Sequence, residues 1–328
     1  MKAIAYTQTG PAAEVLKLVD LPTPEPGPGE VRVRLRWSGV NPSDVKSRAG
    51  LRTKTLAFPQ IVPHSDGAGE IDAVGAGVTA SRVGERVWVW NGAWQRAHGT
   101  AAQAIVLPAA QAVPLPDGVP GEAAACLGIP ALTALHAVLI GDGVAGKRVL
   151  VTGGAGAVGH YAVQFARKLG AAQVAATVSS EAKAQLARAA GADATIDYKR
   201  EDVVARAMAL TAKGGFDRVI EVDAAANLAG DLNLLAPGGD VVVYGSGAAE
   251  FALPFFPAIV RNATLRCFIV YNLPKADRDR AIGALTPMLA RGELQHQIAE
   301  RPPLAECARA HQLVESGQAI GNVVLRID

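Results

Sequence analysis

The stretch that decides the fold reads Val149-Leu-Val-Thr-Gly-Gly-Ala-Gly-Ala-Val-Gly159. Its apolar, β-branched start is typical of a buried parallel strand, and an amphipathic helical pattern follows the glycines. In a strand–turn–helix context, the spacing Gly154-x-Gly156-x-x-Gly159 predicts a dinucleotide-binding turn. Gly154 would allow the tight turn, Gly156 the approach of a pyrophosphate, and Gly159 close packing of helix on strand. The helix N-terminus favours phosphates, so we predict cofactor contacts at Gly154, Ala155, Gly156, Ala157 and Val158.

Strand and helix patterns alternate downstream of this turn. Strands are predicted at 149–151, 174–178, 195–196, 218–222, 241–244 and 265–271, each separated from the next by a helical or turn-rich segment. This alternation predicts an α/β domain with a doubly wound parallel sheet.

The chain upstream has a different pattern. It has short alternating runs, such as 31–37 and 84–90, separated by many proline and glycine turns, which predicts an all-β-leaning, barrel-like domain. After residue 272 two helical patterns and a strand at 322–327 follow, and we expect that strand to return to the N-terminal sheet. The predicted domains are 1–125, completed by 272–328, and 126–271.

Composition excludes several classes of protein. A length of 328 residues suggests two domains, and a net charge of +2 with no basic tract gives no support for a nucleic-acid partner. No apolar run approaches the length of a membrane span. The three cysteines lack disulfide or zinc-knuckle spacing. We therefore expect a cytoplasmic protein.

Further motifs resemble the medium-chain dehydrogenase/reductase superfamily, in its zeta-crystallin-like NADPH:quinone oxidoreductase branch. They are Gly39-Val-Asn-Pro-Ser-Asp44, Asp66-Gly-Ala-Gly69, Gly84-Glu-Arg-Val87, Gly128-Ile-Pro-Ala-Leu-Thr-Ala134 and Leu235-Ala-Pro-Gly-Gly239. The resemblance implies a GroES-like β-barrel-type catalytic domain, a Rossmann domain, a cleft between them and a homodimer. In such a dimer Val241–Tyr244 with Phe251 would pair strand edges across a two-fold axis.

The resemblance also bears on metal binding. Zinc-dependent relatives have a cysteine where this chain has Asn41, and a glycine-histidine-glutamate triplet where it has His64-Ser-Asp66. An amide and a hydroxyl are poor zinc ligands, so we expect no metal. We interpret His64 as a packing or hydrogen-bonding residue. Without a Lewis acid, alcohol oxidation is disfavoured, and reduction of an already electrophilic quinone or activated alkene is easier.

The end of the second strand predicts which nicotinamide binds. NAD-preferring folds carry an acidic residue about twenty positions beyond the last glycine. Here that count leads to Ser179 and Ser180, with Lys183 one helical turn later. Two hydroxyls and an ammonium would hold a 2′-phosphate. Ser180 is also a natural N-cap, and Lys183 can be a solvated helix residue. The resemblance also places Tyr198 near the adenine of the cofactor. From Ser179, Ser180 and Lys183 we predict that the cofactor is NADPH.

The resemblance implies the remaining cofactor contacts. Thr133 would lie close to the nicotinamide, although it can also be an ordinary small residue of a helix turn. The segments after the fifth strand and in the sixth strand would complete the cofactor trough. The residues in these two segments are Gly245, Ser246, Phe268, Ile269 and Val270.

Three residues are candidates for the reaction centre: Asn41, Asp44 and Lys46. The Asn41 amide would polarise a substrate carbonyl as hydride arrives, or Asn41-Pro42 only shapes a turn. Asp44, with Arg48, resembles a support network, and its pKa would have to rise from near 4 to near 7 for it to act as an acid. Lys46 replaces a tyrosine of many quinone reductases, which would exclude bulky quinones or favour an anionic acyl thioester.

Tryptophans offer an aromatic wall for a planar acceptor. Trp88 and Trp90 lie on one face of a strand, so a core role fits them equally well. Trp94 lies in a loop and is the better candidate for acceptor contact.

These features together predict a zinc-independent NADPH:quinone reductase-like oxidoreductase, acting by hydride transfer on quinones or related α,β-unsaturated carbonyl compounds. Two alternatives stay open. One is an enoyl-thioester reductase of the acrylyl or crotonyl type. The other is a non-catalytic NADPH-binding structural or regulatory protein.

Overall fold

The structure is a computed structural model that describes residues 1–328. The chain forms two compact units: Met1–Pro130 with Thr286–Asp328, and Ala131–Leu285. Segments on both sides of the second unit thus build the first. The domain boundaries drawn from the sequence, 125/126 and 271/272, stay a prediction.

The regular elements alternate along the chain. The strands are β1 (Lys2–Ala5), β2 (Lys17–Asp20), β3 (Glu30–Val40), β4 (Gly67–Val74), β5 (Arg86–Val89), β6 (Ala104–Pro108), β7 (Ala112–Pro114), β8 (Arg148–Val151), β9 (Gln173–Val178), β10 (Ala194–Asp197), β11 (Phe216–Glu221), β12 (Leu235–Val243), β13 (Thr264–Cys267), β14 (Ile298–Glu300) and β15 (Asn322–Arg326). The α-helices are α1 (Ala12–Val15), α2 (Pro42–Arg48), α3 (Gly121–Ala124), α4 (Leu132–Leu139), α5 (Gly159–Lys168), α6 (Glu181–Ala189), α7 (Val203–Leu210), α8 (Ala224–Leu234), α9 (Phe255–Val260), α10 (Lys275–Ala290) and α11 (Cys307–Glu315).

The second unit is built on a six-stranded parallel sheet in the order β10-β9-β8-β11-β12-β13. Val149, Leu150 and Val151 of β8 are fully buried, as expected for a strand covered on both faces. The strand order reverses at β8, which pairs with both β9 and β11. In open α/β sheets, ligands bind beyond the carboxyl ends of the strands at this point. The predicted doubly wound sheet is confirmed.

A buried ion pair attaches α4 to this sheet. The guanidinium of Arg218, on β11, donates two hydrogen bonds to Asp240, on β12. The Nε–Oδ1 distance is 2.8 Å and the Nη2–Oδ2 distance is 2.7 Å. Its Nη1 donates to the carbonyl of Val138, near the C-terminus of α4, at 3.1 Å. Losing one partner of such a buried pair typically costs about 3–5 kcal/mol. The pair therefore fixes the helix that carries Thr133.

The first unit is a curled, half-barrel sheet in the order β14-β15-β3-β4-β5-β7, with β6 also on β3. β3 pairs with β6 along its first half, with β15 along its second half, and with β4 on its other side. Its pairing with β4 shifts register twice, and such bulges bend and twist a strand. The barrel-like domain is confirmed, as is the return of the last strand to the N-terminal sheet.

Two expectations for the edge of the parallel sheet are wrong. The last strand ends at Cys267 instead of 271, because its only partner, β12, ends at Val243 and the Phe268 N–H makes the final bond to the Val243 carbonyl. The chain then turns, with a bond from the Asn272 N–H to the Ile269 carbonyl. Residues 241–244 do not form a sheet edge either, because β13 covers β12; β13 is the edge strand.

None of the helices combines the length and apolar character that crossing a membrane requires.

Candidate functional site

The glycine turn between β8 and α5 is shaped by close backbone contacts. Gly153 has a φ of +65°, so it is the left-handed residue of the turn. A Cβ on Gly154 would lie 2.4 Å from the Ala176 Cβ, and a Cβ on Gly159 would lie 2.2 Å from the Gly153 carbonyl oxygen. Gly154 and Gly159 are therefore needed for packing within the turn.

Gly156 differs from its neighbours. It is exposed, and a Cβ there would meet only the Gly153 carbonyl oxygen, at 3.2 Å. No side chain caps the N-terminus of α5 at Val158. Ala157 is half-buried beside this opening, and Ala155 is buried beneath it. The turn thus presents an uncapped helix N-terminus beside a glycine with open space, which fits a pyrophosphate.

The predicted adenosine end lies beyond β9 and β10. Ser179 and Ser180 are half-buried, and Ser180 Oγ accepts a bond from the Lys183 N–H at 3.4 Å, so Ser180 is the N-cap of α6. Tyr198 directly follows β10, and its N–H donates to the Val178 carbonyl at 3.0 Å. The structure thus brings Tyr198 to the end of β9, and its side chain is 52% exposed.

Two acids lie near this end. Glu181 forms an ion pair with Arg188 on the same helix. Asp197, the last residue of β10, lies opposite Val178 in the sheet and accepts a bond from the Lys199 N–H. Because β9 ends without an acidic residue, the ribose position keeps hydroxyl groups and the positive end of α6.

The other residues predicted to contact the cofactor follow β12 and β13. A Cβ on Gly245 would lie 2.2 Å from the Val222 carbonyl oxygen, so this close contact requires glycine. Ser246 Oγ donates to the Ala248 carbonyl at 2.8 Å. Phe268, Ile269 and Val270 follow β13 instead of lying in it, and Phe268 packs edge-on against His136 of α4, with ring centroids 4.6 Å apart. Thr133, on the same helix, is buried.

A pair of buried carboxyls joins β11 to α8. Glu221 ends β11, Asp231 lies on α8, and the two side chains hydrogen-bond each other. Glu221 Oε2 and Asp231 Oδ2 are buried and have no other partner. Burial, followed by the charge of Glu221, raises the pKa of Asp231 to about 9. The folded protein therefore holds at this pair a proton that the unfolded chain releases above its ordinary pKa of 3.8.

This proton makes stability depend on pH. Because the pKa of Asp231 is higher in the folded protein than in the unfolded chain, its protonation stabilises the fold. This stabilisation is fully present below pH 3.8 and is lost as the pH rises through about 9. Asp231→Asn keeps the shape and needs no proton. We expect its free energy of unfolding, relative to wild type, to rise by up to about 2.7 kcal/mol from pH 6 to pH 8. Urea unfolding at both pH values measures this, with exposed Asp117→Asn as control. If the variant and the wild type differed in free energy of unfolding by the same amount at pH 6 and at pH 8, the shared proton would be refuted.

In the first unit, Asn41 is held from two sides by acids. Its Nδ2 donates to Asp66 Oδ1 at 2.8 Å, and its backbone N–H donates to Asp44 Oδ2 at 2.8 Å. Asp66 Oδ2 also accepts from the Ile129 N–H at 3.3 Å. Gly39 must be glycine, because a Cβ there would lie 2.4 Å from Asp66 Oδ1. The Asn41 amide is therefore fixed, with one of its two N–H groups bound to Asp66.

Both acids are buried, and burial raises their pKa values. The pKa of Asp44 rises to about 7, which meets the condition for an acid that transfers protons near neutrality. The pKa of Asp66 lies well above its usual range, through burial and then through the charge of Asp44. Arg48, almost fully buried, donates to the Gly10 carbonyl and pairs with Glu315 at 3.0 Å, so it supports this loop. Lys46, on the same helix, is half-buried.

The tryptophans separate into core and loop. Trp88 is fully buried and lies within β5, so the core interpretation holds for it. Trp90 and Trp94 are half-buried and stay candidates for acceptor contact.

A cluster in the first unit was not predicted from the sequence. His64, Cys307 and His311 are buried, and their ligand atoms all lie within 4.8 Å of one another. His64 has a φ of +76°, rare for a bulky side chain. The signal was visible in part, because Cys307 and His311 are four residues apart and so share one face of a helix.

Comparisons with known proteins agree with this architecture. Residues 27–117 match the family model of the alcohol dehydrogenase GroES-like domain, and residues 157–286 match that of zinc-binding dehydrogenases. The chain is 30% identical to a quinone oxidoreductase of Rattus norvegicus, over 99% of this chain and 97% of the relative. It is 33% identical to a quinone oxidoreductase of Pseudomonas aeruginosa, over 99% of both chains. It is 31% identical to a 2-haloacrylate reductase of a Burkholderia species, over 99% of this chain and 98% of the relative.

Solved structures give the same result. An NAD-dependent alcohol dehydrogenase superposes with a TM-score of 0.91 at 31% identity, covering 100% of both chains. A mycobacterial protein complexed with NADPH superposes with a TM-score of 0.87 at 31% identity, covering 99% of this chain and 100% of the other.

Proposed function

The chain belongs to the medium-chain dehydrogenase/reductase superfamily, in its zeta-crystallin-like quinone oxidoreductase branch, and on this premise we propose that it is an NADPH-dependent oxidoreductase of quinones or related α,β-unsaturated carbonyl compounds. The observation that carries the proposal is the turn at Gly156, an exposed glycine beside the uncapped N-terminus of α5. NADPH in place of NADH is supported by Ser179 and Ser180, which follow β9 at the position where NAD-preferring folds carry a carboxylate.

The chain's residues would position reactants and polarise the acceptor. A bound nicotinamide would supply the hydride. The segment 154–158 would hold the pyrophosphate, with Ser179, Ser180, Lys183 and Tyr198 at the adenosine phosphate. The Asn41 amide would donate to the acceptor's carbonyl oxygen, and Asp66 and Asp44 would hold the amide in position. Asp44, with a pKa of about 7, would hold a proton at Oδ1 or Oδ2.

The proposal includes a reaction centre without zinc. At the position where zinc-dependent relatives bind the metal, this chain offers the Asn41 amide, the Ser65 hydroxyl and the Asp66 carboxyl. Asp66 already accepts bonds from Asn41 Nδ2 and the Ile129 N–H. This donor set does not fit zinc, which prefers thiolate and imidazole.

An NADPH-oxidation screen tests the function. Small quinones, enones and enoyl thioesters are offered with EDTA present, and KM is measured for NADPH and NADH. We expect turnover of a quinone or enone that is insensitive to EDTA, with the lower KM for NADPH. A preference for NADH would refute the cofactor assignment. NADPH binding without turnover of any acceptor would favour a structural or regulatory protein instead.

One observation favours a second candidate, the reduction of an acrylate-type or enoyl-thioester acceptor. Lys46, a cation, occupies the last turn of α2, the helix that follows Asn41. One relative acts, by its name, on 2-haloacrylate, an anionic α,β-unsaturated acid. An ammonium on this helix would attract such an anion.

Removing that ammonium separates the two candidates. If the acceptor is anionic, Lys46→Ala should raise its KM about tenfold or more, the loss of one charge-assisted contact, and leave a neutral quinone nearly unaffected. Steady-state kinetics with acrylyl thioester, acrylate and a neutral quinone measure the difference. Exposed Lys54→Ala is the control. Equal effects on charged and neutral acceptors would remove this candidate.

We further propose that the protein forms a homodimer in the cytoplasm. The edge strand β13 lies beside α9 in sequence, and the segment before it exposes large apolar side chains: Phe251, Leu253, Phe255, Phe256, Ile259 and Val260. Unpaired strand edges and exposed apolar patches of this kind are typical of subunit contacts. Light scattering should give twice the chain mass of 33.8 kDa, and a monomer at micromolar concentration would refute the dimer. The three free cysteines support the location.

A further inference from the structure

Three buried side chains in the first unit form a cluster that the proposed reaction does not use. His64 lies in the segment before β4, and Cys307 and His311 lie on α11, more than 240 residues later. The two Nε2 atoms of His64 and His311 are 2.8 Å apart, and Cys307 Sγ lies 3.9 Å from His64 Nε2. We propose that His64, His311 and Cys307 bind one Zn²⁺ or similar transition-metal ion, which stabilises the fold and takes no part in hydride transfer.

A hydrogen-bond chain fixes the tautomer of His64 and frees its metal-binding atom. The Thr100 hydroxyl donates to the Asp66 carbonyl at 2.7 Å, so it must accept from the Ser38 hydroxyl, 2.8 Å away. Ser38 has then used its hydrogen, and so it accepts from His64 Nδ1–H at 2.9 Å. His64 Nε2 therefore has a bare lone pair that faces His311 and Cys307. Metal-binding histidines are oriented in this way by a partner on the other ring nitrogen.

The spacing of the donor atoms is close to that of a zinc site. Zn–N bonds of about 2.0–2.1 Å and Zn–S bonds of about 2.3 Å at tetrahedral angles give N–N separations of about 3.3 Å and N–S separations of about 3.6 Å. The observed 2.8 Å and 3.9 Å each differ from these by about half an ångström or less. Two imidazoles and a thiolate are also the donor types that zinc prefers.

Without a metal, His311 would donate from Nε2 to His64. With a metal, both Nε2 atoms would bind it, and His311 would carry its hydrogen on Nδ1. The buried Nδ1 has no hydrogen-bond partner in either case, so the positions of the three ligand atoms carry the proposal.

Cobalt(II) titration of chelator-treated, reduced full-length protein tests the site. We expect about one Co²⁺ per chain, visible ligand-field bands and a thiolate-to-cobalt charge-transfer band. Zn²⁺ should displace cobalt and raise Tm by roughly 5 °C at a hundredfold excess over Kd. No charge-transfer band in the wild type would overturn the proposal and leave a hydrogen-bonded histidine pair only.

Variants assign the ligands. Cys307→Ser should abolish the charge-transfer band and weaken cobalt binding more than about 100-fold, since even the loss of a residue that only orients a ligand costs about 10–100-fold. Cys126→Ser, at another buried free cysteine, is the matched control and should keep the band. A band that survives in Cys307→Ser would overturn the assignment. Should Cys307→Ser not fold, His311→Gln serves in its place, with the same expected loss of binding. NADPH oxidation is measured in parallel. Its absence would count against the proposed function, whereas the cobalt titration would still test the metal site.

Discussion

Gly156→Val should raise the Kd for NADPH at least about 100-fold, which corresponds to roughly 2.7 kcal/mol. The space beside Gly156 contains only the Gly153 carbonyl oxygen, 3.2 Å from the point where a Cβ would lie, so a valine fits with a small adjustment of the turn. Its methyl groups would then occupy the approach to the N-terminus of α5, where we place the pyrophosphate. Fluorescence titration with NADPH measures Kd, and the Tm should stay within a few degrees of wild type.

Two further substitutions show whether the effect is specific. Gly283→Val is the matched control, because Gly283 is exposed on α10 and has nothing within 4 Å of a Cβ. It should leave NADPH binding unchanged. Gly159→Ala should instead lower the Tm, since its Cβ would lie 2.2 Å from a backbone oxygen. Unaltered NADPH binding by a folded Gly156→Val would contradict the proposed pyrophosphate position.

Asn41→Ala should lower kcat by about 100- to 1000-fold, the usual effect of removing one donor to a developing oxyanion. The Asn41 side chain donates to Asp66 and also hydrogen-bonds Asp44, so an acceptor carbonyl would receive its bond from an amide that these two acids hold in place. Because the cofactor residues lie in the second unit, the Kd for NADPH should not change. Single-turnover kinetics separate the chemical step from product release.

The choice of acceptor distinguishes polarisation from a structural role. The loss should be smaller for a strongly electron-poor quinone, which needs little polarisation, than for a simple enone. Asp66→Asn, which keeps Asn41 but alters its partner, should give a smaller loss of kcat. An equal loss for all acceptors, with a lower Tm, would mean that Asn41 only caps α2.

Local patterns in the sequence predicted most of the fold, and contacts between distant segments account for what they missed. Runs such as Val149–Val151 show a buried parallel strand directly, because burial on both faces demands continuous apolar residues. The last strand was drawn too long because its apolar pattern continues through Val270, beyond the end of its partner.

The sequence predicted which residues belong to the candidate site, but it did not predict the contacts that they make. Asn41 was found from its position in a motif, but its bond to Asp66 depends on two strands and a helix meeting. Burial raises the pKa of Asp44 to about 7, and no local sequence pattern predicts that this carboxyl is buried. His64 was interpreted as a packing residue because its partners lie on α11, more than 240 residues away.

The arrangement of the two units sets an order of assembly on the ribosome. All six strands of the parallel sheet lie within one continuous segment, whereas β3 obtains its partner β15 only when Asn322–Arg326 has been synthesised. The inserted unit can thus fold while the edge of Trp37–Val40 that later pairs with β15 is still open. Nascent chains would be most vulnerable to misassociation at that stage, and a chaperone would find there its most exposed strand.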